Sequence, residues 1–208
     1  MSGSPAWRGR FVVLEGIDGS GKSTQARLLA EALRARGESV VETREPGGTA
    51  LGEQMRAVVL GSAAGELADV AEVYLFAAAR AQLVTEVIRP ALMRGEWVVC
   101  DRFLESSLVY QGVARGLGVD AVARANELAV AGCVPDLVVV VDAPLEVAMA
   151  RRGAGDRIEA EDTDFHLRVA AGYHELRERW PERVRAVAGG GTPAQVHARV
   201  MAEVAGLA

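Results

Sequence analysis

Arg10-Phe11-Val12-Val13-Leu14-Glu15-Gly16-Ile17-Asp18-Gly19-Ser20-Gly21-Lys22-Ser23-Thr24-Gln25-Ala26-Arg27-Leu28-Leu29 decides the fold of this chain. Phe11 to Glu15 reads as a buried strand. From Ser23 to Leu33 the pattern is that of a helix, and Gly37 supplies the residue type that commonly follows a helix end. Between strand and helix, Gly16-Ile17-Asp18-Gly19-Ser20-Gly21-Lys22-Ser23 matches the phosphate-binding pattern GxxxxGK[ST]. A strand, a glycine turn and a helix together aim backbone N–H groups and a positive helix end at an anion. Gly16, Gly19 and Gly21 permit positive φ and close approach of phosphate oxygens to the main chain. The Ser23 hydroxyl, with Thr24 beside it, is placed to reach a Mg²⁺ ion that accompanies the phosphates.

Lys22 is the only lysine; the other 22 basic residues among 23 are arginine. A chain that uses arginine everywhere else keeps one compact ammonium in the lysine slot of that loop. A thin, flexible stem lets a point charge follow the β- and γ-phosphates, which a planar guanidinium fork does less well.

At 208 residues, half of them apolar, the chain suits a single α/β domain spanning 1–208. A net charge of −5 argues against general nucleic-acid binding. The absence of any long apolar run argues against a membrane span. The start, Met1 to Trp7, lacks the apolar core of a signal peptide, and Cys100 and Cys133 have no metal-type spacing, so a reducing, cytoplasmic setting is expected.

Short apolar runs alternate with longer helical patterns, which predicts a parallel sheet flanked by helices. The strands expected are Phe11–Glu15, Ser39–Thr43, Trp97–Asp101, Leu137–Asp142 and Val184–Val187. The longest helical pattern runs from Leu67 to Met93, with Pro90 kinking or closing it. Further helices are expected over Leu104–Arg115, Asp120–Ala131, Leu145–Arg152, Asp164–Trp180 and Pro193–Val204. Gly153 to Asp162 is charged and reads as a mobile loop. His166, His174 and His197 are expected at the surface or an interface.

Several segments carry polar chemistry at strand ends. Trp97 to Arg102 delivers Asp101 and Arg102 to the sheet edge, where the carboxylate suits a metal or its water and the guanidinium suits phosphate oxygens. A surface ion pair is the competing reading. Thr43-Arg44-Glu45-Pro46-Gly47-Gly48-Thr49 would, alone, be an ordinary turn, with Arg56 following on the next helix. Phe76 and Arg80 stand four apart on one helical face, so a ring and a guanidinium could read a nucleobase together. Ser106-Ser107-Leu108-Val109-Tyr110-Gln111-Gly112 offers hydroxyl, phenol and amide groups to a base and sugar, or else simply decorates a helix. Arg151, Arg152 and Arg157 flank a glycine-containing loop, a lid at about 151–162 that could bring positive charge to a phosphoryl group.

In order and spacing these segments resemble bacterial thymidylate kinases. The resemblance rests on the loop at 16–23, TREPGGT at 43–49 and DRFLESSLVYQG at 101–112, and runs from Phe11 to about Arg179. LFAAAR at 75–80 and DRIE at 156–159 add to it. It implies the three-layer P-loop NTPase fold with a five-stranded parallel sheet, and phosphoryl transfer from ATP, with Mg²⁺, to dTMP on the route to dTTP. It implies that Lys22 and the loop from Gly16 to Thr24 hold ATP, and that Asp18 lies near the acceptor sugar and the metal. Phe76 would stack on thymine, Arg80 would bond its exocyclic oxygen, and Ser107 would approach the base edge. Tyr110 would pack on the deoxyribose, and Arg56 and Arg102 would hold the acceptor phosphate. Glu45, Pro46, Ser106 and Gln111 would complete that site. The loop at Asp18-Gly19-Ser20 has no arginine, so the lid arginines Arg151, Arg152 and Arg157 become the candidates for the transferring phosphoryl. A homodimer through the helix around 67–89 is also implied.

The chain departs from the family pattern at Val109, where alanine is usual, and at Ala188-Gly189-Gly190-Gly191, near the expected adenine. Another P-loop nucleotide kinase and an ATP-driven switch are the competing functions. A guanine-reading NKxD element is absent, since the one asparagine, Asn126, precedes Glu127.

Overall fold

The computed structural model describes residues 8–61, 67–151 and 155–207. Arg152 and part of the expected lid therefore lie outside the described residues. Five parallel strands form one sheet in the order β2-β3-β1-β4-β5: β1 Phe11–Glu15, β2 Val40–Arg44, β3 Trp97–Asp101, β4 Leu137–Asp142 and β5 Val184–Ala188. The expected strands hold, with β2 displaced by one residue and β5 one longer.

Side chains alternate across the sheet, and that alternation builds two cores. Val12, Leu14, Val99, Val139 and Val141 face α1 (Lys22–Ala35) and α9 (Pro193–Val204), packing on Leu29, Leu33, Val196 and Val200. Phe11, Val13, Val98, Cys100, Val138 and Val140 face the opposite layer. That layer holds α3 (Asp69–Leu83), α4 (Arg89–Arg94), α5 (Leu104–Ser107), α6 (Val119–Val130), α7 (Leu145–Ala150) and α8 (Thr163–Arg179), with α2 (Ala50–Leu60) against α3. Cys100 and Cys133 are buried thiols. Among the described residues no helix is long and apolar enough to cross a membrane.

Two helices differ from expectation in the same way. The chain from Asp69 to Arg94 widens into a π-helical turn at Val84–Ile88, just before Pro90. Proline has no N–H and its ring crowds the carbonyl four residues back, so a wider turn there accommodates it without ending the helix. The stretch after β3 is likewise α-helical only over Leu104–Ser107 and π-helical over Leu108–Ala114. That wider turn carries Tyr110 and Gln111. α7 stops at Ala150, two residues short of the expected end.

His166 corrects the surface expectation: it is 1 % exposed, and its Nε2 lies 3.3 Å from the Glu159 carbonyl. The Phe165 ring packs edge-on against the imidazole, 5.5 Å between centroids. His174 is exposed and His197 partly so.

α9 begins with a reciprocal cap. Gln195 N donates to Thr192 Oγ1 (3.3 Å) and Thr192 N donates to Gln195 Oε1 (2.9 Å). Thr192→Ala is expected to cost about 1 kcal/mol, read as a fall of roughly 2–4 °C in Tm with unchanged turnover.

Candidate active site

β1 lies at the centre of the sheet, where connections leave toward opposite edges, and ligands of open parallel sheets collect at the carboxyl ends of such strands. The loop between β1 and α1 sits there. Gly16, Gly19 and Gly21 have φ of 141°, 83° and 98°. At Gly19 a Cβ would stand 2.0 Å from the Ala148 carbonyl of α7, so side-chain volume is excluded as well as strained. The first turn of α1 has no side-chain cap and no acidic residue, which leaves its N–H groups and positive end for an anion. Ser20 Oγ is buried without a protein partner and faces the same loop.

Lys22 is buried, and its Nζ donates to Asp18 Oδ1 (3.1 Å) and the Ile17 carbonyl (3.5 Å). Burial, then the nearby Arg102, lowers its pKa against the pull of Asp18 and Asp101. Asp18 also accepts from Arg102 Nη2 and from Tyr110 Oη (3.0 Å). Burial alone would raise the Asp18 carboxyl, but Arg102 and Lys22 hold it well below the usual carboxylate range. One carboxylate thus joins the phosphate loop to the β3 edge.

At that edge Asp101 Oδ1 is buried with no hydrogen-bond partner. Arg102 adopts φ 70° and spreads its guanidinium over the Tyr110 ring, 5.2 Å from its centroid.

On the β2/β3 side of Asp18 lies a cleft lined by Glu45, Pro46, Arg56, Phe76, Arg80, Arg102, Ser106, Ser107, Tyr110 and Gln111. Leu60 and Phe103 supply apolar wall, and Asp156, Ile158 and Glu159 close one side. Arg80 is the group at its floor, 1 % exposed. Its Nε donates to Glu45 Oε1 (3.2 Å) and Oε2 (2.9 Å). Nη2 donates to Glu45 Oε2 (2.6 Å), the Phe103 carbonyl (3.0 Å) and Ser107 Oγ (3.1 Å), while Nη1 donates to Asn126 Oδ1. Burial pushes Glu45 up to about 7 despite the opposing pull of Arg80. Arg56 Nη1 donates to the Pro46 carbonyl (3.0 Å).

A second cleft, on the α1/α9 side, is lined by Ser20, Gly21, Thr24, Gln25, Arg151, Gly189, Gly191, Pro193 and Val196. Gln25 Nε2 donates to the Pro193 carbonyl (3.0 Å), and its Oε1 is buried and unpartnered. The glycine segment after β5 lies beside the phosphate loop, and its lack of side chains leaves room there.

The structure brings nearly all of the expected site residues to these two clefts and the loop between them. Arg157 stands apart and lines neither cleft. Its Nε and Nη2 donate to the Val59 carbonyl (3.1 and 3.0 Å), and Nη2 also meets Glu72 Oε2. Glu72, 0 % exposed, takes Gln111 Nε2 (2.7 Å) and Arg115 Nε (2.9 Å) as well. Burial would raise Glu72, but hydrogen bonds from Arg115 and Arg157 hold it below the ordinary range. Glu72, Glu15, Asn126 and Tyr173 are the polar residues that sequence reasoning passed over. Glu72 could have been found from its place four residues before Phe76, and Glu15 from closing an apolar strand beside the loop. Asn126 and Tyr173 show no local signal.

A glycine-rich anion loop at the switch point of a parallel sheet, with one cleft on either side, defines a P-loop nucleotide-binding protein with room for two ligands. A family model described as thymidylate kinase matches residues 14–200, and the chain belongs to that family. It is similar to the thymidylate kinase of Pelotomaculum thermopropionicum, 48 % identical over 198 residues that span 93 % of this chain and 92 % of that one. The thymidylate kinase of Rhizorhabdus wittichii is 47 % identical over 204 residues, 96 % of this chain and 98 % of its own. A crystal structure of thymidylate kinase from Ehrlichia chaffeensis superposes with a TM-score of 0.79 at 33 % identity, covering 94 % of this chain and 98 % of that chain.

Proposed function

We propose that this chain transfers the γ-phosphoryl of ATP to the phosphate of dTMP, giving ADP and dTDP. The observation that carries the reading is Asp18, whose carboxylate links Lys22 of the phosphate loop to Arg102 and Tyr110 of the neighbouring cleft. Donor and acceptor sites so joined bring two phosphates together across one short span.

The donor triphosphate lies along the loop from Gly16 to Thr24, with Lys22 on the β- and γ-phosphates. The acceptor base enters the cleft over Arg80, stacks on Phe76 and meets Ser107 at its edge. A thymine carbonyl suits the guanidinium donor, and Tyr110 lies against the sugar. Arg56 and Arg102 grip the acceptor phosphate, with Glu45, Pro46, Ser106 and Gln111 shaping the wall. The attacking phosphate oxygen is anionic at neutral pH, so the protein needs no strong general base. Catalysis rests on alignment and on neutralising charge at the transferring group.

Mg²⁺ fits this arrangement. Asp101 presents a buried, unpartnered Oδ1, Ser23 is exposed on the first turn of α1, and Asp18 lies between Lys22 and Arg102. Among the described residues no group of three or more His, Cys, Asp or Glu forms a metal cage, which suits an ion held chiefly by substrate phosphates and one or two carboxylates. The ion supplies charge neutralisation on those phosphates. Of the lid arginines among the described residues, Arg151 lines the donor cleft and is placed to reach the phosphates. Arg157 anchors the lid to Glu72 and Val59. The chain works as one domain in the cytoplasm, and pairs as a homodimer through the exposed apolar side chains Val70 and Tyr74 of α3 and Leu128 of α6.

ADP release is to be followed with ATP, Mg²⁺ and a panel of acceptors. Marked preference for dTMP over dUMP, AMP and CMP is expected. Equal release without any acceptor would indicate an ATPase or switch, and preference for AMP or CMP would indicate another nucleotide kinase.

A further inference from the structure

Arg102 holds a left-handed backbone, φ 70°, which a residue with a side chain keeps only where its surroundings over-determine it. Besides the Leu14 carbonyl, which accepts from Arg102 N (2.9 Å), and Asp18 and Tyr110, which hold Nη2, the surroundings include two residues outside either cleft's lining, Glu15 and Tyr173. Glu15, the last residue of β1, is 0 % exposed, and Tyr173, on α8, is 4 % exposed. Glu15 Oε1 accepts from Phe103 N (2.9 Å) and Ser106 N (3.0 Å), the peptide groups just after Arg102. Glu15 Oε2 accepts from Ser106 Oγ (2.7 Å) and Tyr173 Oη (2.7 Å). The same two hydroxyls then receive Arg102 Nη1, at 3.0 Å from Ser106 and 3.2 Å from Tyr173. That nitrogen also lies 3.8 Å from Glu15 Oε2.

We propose that Glu15 and Tyr173 form a positioning pair that fixes both the backbone and the guanidinium of Arg102 in the pose that grips the acceptor phosphate. The inference rests on the reading of Arg102 as a clamp for that phosphate. Each hydroxyl gives its single proton to Glu15, which leaves its lone pairs to receive Arg102. Burial pushes the Glu15 carboxyl up while the Arg102 guanidinium beside it favours the ionised form. As a carboxylate Glu15 only accepts, and that sets the direction of the hydrogen bonds and with it the orientation of the guanidinium. Tyr173 brings α8, the helix that follows the lid segment, into contact with the clamp. Both groups act through Arg102 and neither lines the cleft.

The test compares dTMP with thymidine, which has the same base and sugar but no phosphate. Binding of each is measured by calorimetry for the wild type, Tyr173→Phe, Glu15→Gln and Arg102→Lys, with kcat and KM for dTMP and ATP. Tyr173→Phe keeps the ring and removes the hydroxyl. It is expected to weaken dTMP binding about tenfold and to raise KM for dTMP similarly, leaving thymidine and ATP binding within about twofold of wild type. Glu15→Gln, which replaces one acceptor with a donor facing two hydroxyls, is expected to have the larger effect of the same kind. If Glu15→Gln does not fold, Tyr173→Phe decides alone. Unchanged dTMP binding in Tyr173→Phe, or a parallel fall for dTMP and thymidine, overturns the positioning role. Arg102→Lys separates the two layers of the argument: if it leaves the dTMP-to-thymidine ratio at the wild-type value, the clamp reading itself fails.

Discussion

Lys22→Ala is expected to lower kcat by about 10²–10³-fold, the usual cost of removing one preorganised charge from a site that stabilises a developing anion. Lys22 is buried and held by Asp18 and the Ile17 carbonyl, so its ammonium is already oriented before any nucleotide arrives. Solvent has little access with which to replace it. The fold should tolerate the loss, because Asp18 keeps Arg102 and Tyr110 as partners. Thermal unfolding of the variant should therefore stay close to wild type while ADP release with dTMP collapses. Lys22→Arg should restore only part of the rate, since a planar fork cannot sit where a point charge sits. Near-normal turnover in Lys22→Ala would remove the loop from the mechanism.

The second large effect is on stability. Arg80→Met should cost about 3–5 kcal/mol at neutral pH, because it strands Glu45 as a buried carboxylate without its counter-charge. For a chain of this size that is roughly 6–20 °C in Tm. Glu45 stands at about 7 even with Arg80 beside it, raised by burial, and loss of Arg80 raises it further. A carboxyl whose folded pKa exceeds its unfolded value favours the fold below the unfolded pKa and loses that contribution as pH rises through the folded one. The variant should accordingly be more stable at pH 6 than at pH 8, and Arg80→Met combined with Glu45→Gln should recover much of the loss. Circular-dichroism melts at the two pH values read this directly. A pH-independent deficit, or no rescue in the double variant, would show that the Arg80–Glu45 pair does not set the cost. Base recognition should fail in both variants, since Ser107 and Phe76 lose the donor between them.

These effects show where sequence and structure divide. Strands and glycine turns follow from short-range rules: β-branched runs for Val12–Val13 and Val138–Val141, positive φ at Gly16, Gly19 and Gly21. Phe76 and Arg80 could be placed on one helix face because helical spacing is local. The π-helical turns at Val84–Ile88 and Leu108–Ala114 could not, since they depend on how each helix is packed. His166 reads as polar and exposed until the Glu159 carbonyl and the Phe165 ring are brought against it. Arg157 shows the same limit. Its position in the chain groups it with Arg151, yet the two side chains go to different sides of the site.

By itself the sequence determined the parallel α/β class and the anion loop with its single lysine, while the side chains expected around an acceptor came from the ordered resemblance of several segments to one family. The first two are written in contiguous residues whose periodicity and spacing have a local physical meaning, whereas each acceptor segment taken alone has a second, purely structural reading. Only the tertiary structure decided how those side chains are held. Glu15 beneath Arg102, Glu45 and Asn126 around Arg80, and Glu72 behind Arg157 are pairings between elements 35 to 88 residues apart, or bridge to them through Ser106 and Phe103. Buried charges must be paired with whatever the fold brings to them, and no local pattern specifies that partner.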